Sequence, residues 1–205
     1  MFIEHGTVSP DHLSISDTGD PCATRAAALG HAHFAVKQWA AARENYVEAN
    51  RLCPGEAQYA WLIGLCDWAL DHIDSAGVHF HDAVRINPAF APAHAWLGEW
   101  HLHHRMTVDA LRCTARAMEL DANFPGNMQA RAAVLCAAGE HDAAWQLFVR
   151  LLAAGHMTPA LASLHAKLAP RRNLSATAIR IPRTSEAASG LGGGVEGGEA
   201  IAATS

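Results

Sequence analysis

The chain carries fourteen histidines. Three runs, His31-Ala-His33, His79-Phe-His81 and His101-Leu-His103-His104, have the outline of metal-binding motifs. Imidazole is a common ligand for zinc and its neighbours. On a helix, however, residues two apart point to different faces and make a poor chelate. His101 and His104 would share a face, with His94 two turns earlier, but a zinc site wants a third or fourth ligand at fixed geometry. These rings therefore read as flat amphipathic fillers standing in for aromatics, and no metal or cofactor is expected. A buried histidine–aspartate pair could act as an acid–base couple. No nucleophile in a fitting register accompanies one here, so the chain is not expected to be an enzyme.

The remaining reactive groups point the same way. Cys22, Cys53, Cys66, Cys113 and Cys136 are odd in number, scattered and without a CxxC pair, which suits free thiols in a reducing cytoplasm. Arg171, Arg172, Arg180 and Arg183 form a basic segment without interleaved aromatics, a poor nucleic-acid signature and better read as a solvated tail. The net charge of −5 and pI near 6.2 argue against a nucleic-acid partner and give no attraction to an anionic membrane. The N-terminus lacks the basic and apolar regions of a secretory signal. No run of about 18 uninterrupted apolar residues exists to span a bilayer. A cytoplasmic location is expected.

The elements that must position these groups show themselves as a repeat. The stretch Ala57–Pro88 has the pattern of two short amphipathic helices closed by a proline. Pro54 and Pro88 stand 34 residues apart, and counting from them gives units 23–56, 57–90, 91–124 and 125–158. Independent positions agree. The eighth is Gly30, Gly64, Gly98 and Ala132; the twentieth is Ala42, Ala76, Ala110 and Ala144. The twenty-fourth is Tyr46, Phe80, Thr114 and Phe148; the twenty-seventh is Ala49, Ala83, Ala117 and Leu151. Small residues at eight and twenty let the helices of a pair approach closely, and a bulky residue at twenty-four fills the space beside them. One pair cannot bury its apolar faces alone, so such units stack and share a core. Two departures stand out: Thr114 at twenty-four, and Arg131 at the seventh position, where Leu29, Ile63 and Leu97 precede it. Gly139 falls at the expected turn in the fourth unit. At position eleven the chain has His33, Asp67, His101 and Leu135, so Asp67 is expected to orient a neighbouring imidazole as a structural polar link.

These features resemble the tetratricopeptide repeat, whose period is about 34 residues. The resemblance implies an all-α, right-handed solenoid of about four helix–turn–helix units. Residues 159–169, with Leu161, Leu164 and Leu168 at i, i+3 and i+7, would form a capping helix on the open end. Residues 1–22 are expected to be a flexible arm, and 170–205 a disordered Gly-rich tail.

In that family the first helices of successive repeats line a concave groove, with contacts at positions two, five, nine and twelve. Carried onto this chain, the resemblance implies a peptide-binding groove in which Phe34, Trp61, Leu65, Trp68 and Leu102 supply affinity. His31, Gln58, Glu99 and Gln129 would set orientation. Trp61, Leu65 and Trp68 fall at i, i+4 and i+7, so they make one helix stripe, expected to be partly exposed because Ile63 and Gly64 already occupy the packing positions. The Lys and Asn clamp for acidic chaperone C-termini is absent; the corresponding places hold Ala27, His31, Leu65, Pro92 and Trp96. The asparagine ladder of the sugar-transferase branch is absent too, position six being Ala28, Leu62, Trp96 and Ala130. The expected function is a protein-interaction scaffold that binds a peptide or hydrophobic segment of another protein. The alternatives are a secretion-type chaperone, with possible homodimerisation, or the docking region of a repeat-containing enzyme such as a glycosyltransferase.

Overall fold

A computed structural model describes residues 20–156 and 158–168. The expected arm as far as residue 19 and the expected tail lie outside the described residues. Among the described residues there are helices and turns only: α1 Pro21–Ala35, α2 Trp39–Leu52, α3 Ala57–Ala69, α4 Ile73–Ile86, α5 Ala91–His103, α6 Thr107–Leu120, α7 Pro125–Ala138, α8 His141–Ala153 and α9 Pro159–Leu168. They run as consecutive antiparallel pairs, each pair packed on the next. The all-α solenoid is the observed architecture. Helix α1 begins at Pro21, two residues ahead of the repeat register, because the Asp20 carboxylate accepts from the Cys22 amide and caps it.

The repeating small residues do what close packing asks of them. Ala42, Ala76, Ala110 and Ala144 are all fully buried. A methyl group built on Gly30 would strike the Tyr46 ring, and one on Gly64 the Phe80 ring at 2.6 Å. On Gly98 it would strike the Thr114 methyl. Position eight thus receives position twenty-four within each of the first three pairs.

The turns repeat as well. Lys37, Asp71, Arg105 and Gly139 all sit in the left-handed region, with φ of 60, 65, 61 and 87°. Each is followed by the same bond: Gln38, His72, Met106 and Glu140 donate their amides to the carbonyls of His33, Asp67, His101 and Leu135 at 2.9 Å. This six-to-one closure satisfies a carbonyl that the helix end would otherwise leave open. Only the fourth turn uses glycine; the other three carry the cost of a left-handed side chain.

The third and fourth units join through a pair of departures. Thr114 leaves room that an aromatic would fill. Arg131 enters it, donating Nη1 to the Leu111 carbonyl at 2.7 Å and to Thr114 Oγ1 at 3.3 Å. The buried apolar residues accordingly fall into two clusters. One spans α1 to α5 around Trp61, Leu62 and Phe80; the other lies in α7, α8 and α9 around Phe148 and Leu161. Between them stand Ala95, Ala117 and Ala130, while Cys113 of α6 packs on the first cluster and Leu111 and Met118 of α6 on the second.

Helix α9 starts 34 residues after α7. Leu161, Leu164 and Leu168 are buried, and the His165 ring stacks on Phe148 at 5.2 Å. It packs on α7 and α8 in the place of a further first helix.

Candidate interaction groove

The nine side chains expected to line a groove come from α1, α3, α5 and α7. None is fully exposed. Phe34 is partly buried, edge-on to Trp39 at 4.9 Å. His31 donates its Nδ1 proton to the Ala27 carbonyl at 2.7 Å and sets its ring edge against Tyr46. Gln58 and Leu102 are partly buried. Gln129 accepts from the Thr158 hydroxyl at 3.3 Å, which ties α7 to the start of α9. Glu99 is partly buried and has no hydrogen bond or ion pair among the described residues.

The expectation of a partly exposed stripe on α3 is corrected. Trp61 is 1% exposed, Leu65 4% and Trp68 6%. Helix α3 is buried on nearly all its faces, so possession of the packing positions by Ile63 and Gly64 did not leave the opposite face bare. A ring at the end of the same unit and two from the next close over the stripe. Phe90 stands edge-on to Trp61 at 5.6 Å, while Trp96 and His103 do the same to Trp68 at 5.8 and 5.9 Å. The Trp61 indole N–H is buried without a hydrogen-bond acceptor among the described residues. An unmade bond of this kind costs about 1–3 kcal/mol.

A second aromatic seam, not singled out by the spacing, locks α4 to α5. Trp100 lies on Gly77, where a methyl would collide with the indole, and donates Nε1–H to the Ile73 carbonyl at 3.1 Å. His101, His104 and His81 gather round Trp100 at 5.1, 4.4 and 6.0 Å between ring centroids. Among the described residues no group of three or more His, Cys, Asp or Glu could hold a metal ion.

Asp67 also departs from expectation. It is fully buried, but its partners are not the position-eleven histidines of adjacent units. Arg43 from α2 donates Nε at 2.6 Å and Ser75 from α4 donates its hydroxyl at 2.8 Å. His79 Nε2 lies 3.4 Å away. His33 instead bonds Gln38. The register fixes where Asp67 sits along α3; the charge it meets depends on which long side chain of α2 reaches across.

Burial sets the titration of the interior. His31, His79 and His101 are all held below the ordinary histidine value, chiefly by desolvation. His101 is further disfavoured as a cation by His81, Arg112 and His104, against the pull of Asp109. Burial pushes Glu99 up to about 7, with Lys167 of α9 opposing. The two effects have opposite signs. A buried neutral histidine takes up its proton more readily when unfolded, so it costs stability as pH falls below about 6.5. Glu99 binds its proton more tightly when folded, so it adds stability as pH falls from about 7. Melting curves at pH 8 and pH 5 should therefore show His101→Gln losing less stability on acidification than wild type, and Glu99→Gln losing more. Parallel shifts in all three proteins would remove these groups as the cause.

A shallow cavity of about 450 Å³ lies between α4, α5 and α6, lined by Val84, Leu97, Arg112, Cys113, Arg116 and Glu119 among others. Arg112 is paired with Asp109 and Arg116 with Glu119, so it presents no free cation. No described helix is long and apolar enough to cross a membrane.

No protein-family model matches the sequence, and no curated protein sequence does. Solved structures do match. The first repeat domain of Spaghetti (RPAP3), bound to the HSP90 peptide SRMEEVD, superposes with a TM-score of 0.53 at 16% identity, over 58% of this chain and 94% of that one. The Sgt2 domain from Aspergillus fumigatus gives 0.55 at 17% identity, over 60% and 83%. MamA gives 0.53 at 17% identity, over 74% and 84%. The fold is that of a tetratricopeptide-repeat domain. Within that fold the left-handed residue at position fifteen and the fit of position twenty-four onto position eight give the 34-residue period its physical content.

Proposed function

We propose that this tetratricopeptide-repeat chain is a protein-interaction module that takes a peptide or hydrophobic segment of a partner into its concave groove. The observation that supports this most is the row of half-buried side chains at the groove-register positions of successive first helices: His31 and Phe34 on α1, Gln58 on α3, Glu99 and Leu102 on α5, and Gln129 on α7. Phe34 and Leu102 give the apolar wall, and His31, Gln58, Glu99 and Gln129 the polar edge. A pre-formed groove on stacked helices binds with little ordering cost. The mechanism is passive, and no group in it is asked to do chemistry. Peptide binding by the RPAP3 domain is in keeping with this use of the fold.

The test is affinity capture from native extract. Wild type is compared with the double variant Phe34→Arg, Leu102→Arg, which puts charges on the wall at two half-buried positions. Val149→Arg, an exposed site on α8, is the control, and circular dichroism checks that all three are folded. A protein held by wild type and Val149→Arg but depleted at least tenfold on the double variant is the expected result. Equal capture by all three would remove the groove as the working surface.

A further inference from the structure

Sixteen groove positions follow from the register, four in each unit, and Glu99 is the one acidic or basic side chain among them besides the histidine His31. It stands on α5 with Ala95 one turn before it, Leu102 one turn after it and the Trp96 indole three residues back. The carboxylate is partly buried and unpaired among the described residues.

We propose that the groove selects an extended segment of a partner protein carrying an arginine or lysine between apolar residues, with Glu99 as the residue that recognises the cation. This rests on the groove reading above. A carboxylate in apolar surroundings is costly unless a cation meets it, and an arginine would supply a charge-assisted bond of the strong class. The Trp96 face beside it suits a cation as well. Flanking apolar residues would lie against Leu102 and the Trp96 ring, both half-buried. The elevated proton affinity of Glu99 fits this account, since Lys167 is the charged group acting on it and does not offset its burial. An acidic peptide such as SRMEEVD, which the RPAP3 domain holds, would meet repulsion here.

The test is selection from a random-peptide display library on the full chain, with wild type, Glu99→Gln and a blank support as baits. Glu99→Gln keeps size and hydrogen bonding, and its circular dichroism is compared with wild type. The expected result is a wild-type pool enriched in apolar residues around a fixed basic position, with that position randomised in the Glu99→Gln pool. A chosen peptide should then bind wild type about 10-fold or more tightly than its basic-to-norleucine analogue, and Glu99→Gln equally to both. An apolar pool without a basic position, or a basic position that survives Glu99→Gln, would overturn the assignment to Glu99 and leave the groove reading standing. Pools no richer than the blank would overturn both.

Discussion

Arg43→Met is expected to destabilise the chain by about 3 kcal/mol, because it strands a buried carboxylate. Asp67 is fully buried, while Arg43 is 36% exposed. Removing the arginine therefore leaves the charge that cannot reach water. Ser75 and His79 remain beside it, and for this reason the loss is placed at the low end of what broken buried pairs cost. In a domain of this size each kcal/mol moves the melting temperature by roughly 2–4 °C, so the midpoint should fall by roughly 6–12 °C. The double variant Arg43→Met, Asp67→Leu removes both charges and should recover more than half of the loss. Thermal melts followed by circular dichroism decide it. A single variant within about 1 °C of wild type would mean that the pair contributes nothing, and an unrecovered double variant that the damage lies in packing.

Phe80→Ala should cost about 3–5 kcal/mol, the range for truncating a buried phenylalanine. Its ring is wholly buried, lies on Gly64, and touches Trp68 and Trp96 at centroid distances of 6.4 and 5.8 Å. It therefore holds α4 to α3 within one unit and α3 to α5 across two. The paired control is Gly64→Ala. Alanine is intrinsically the better helix residue by about 1 kcal/mol, yet here its methyl meets ring carbons at 2.6 and 2.8 Å and the Ala76 carbonyl at 3.3 Å. Gly64→Ala should lose stability in wild type and gain it in the Phe80→Ala background. Urea titration of the four proteins gives the sign directly. A stabilising Gly64→Ala in wild type would show that the ring can move aside, and would defeat the account of why position eight is small.

The repeat was legible because steric demand leaves few choices: a glycine under a tyrosine or a phenylalanine, an alanine where two helices touch. Position fifteen was not, except at Gly139, since Lys37, Asp71 and Arg105 adopt the left-handed turn without the residue that advertises it. Thr114 and Arg131 each looked like a flaw in its own unit. Only the bond between them, across 17 residues of chain, shows one filling the space the other leaves. The partner of Asp67 was missed for a related reason: a register gives depth along a helix, not which arginine will stretch across. Trp61 and Trp68 are covered by Phe90, Trp96 and His103, three rings at positions that the groove register does not count.

The divided core has a mechanical consequence. A solenoid carries load from neighbour to neighbour, with no long-range contact to share it. Between the larger block and the smaller that load passes through Ala95, Ala117 and Ala130, through Leu111 and Met118 of α6 packed on the smaller block, and through Asn127 and Arg131 of α7, which donate to carbonyls of α6 and of the residue that ends it. Buried apolar area resists separation in any direction, whereas a hydrogen bond resists it chiefly along its own line. A pull across this junction is met by directed bonds as much as by buried area.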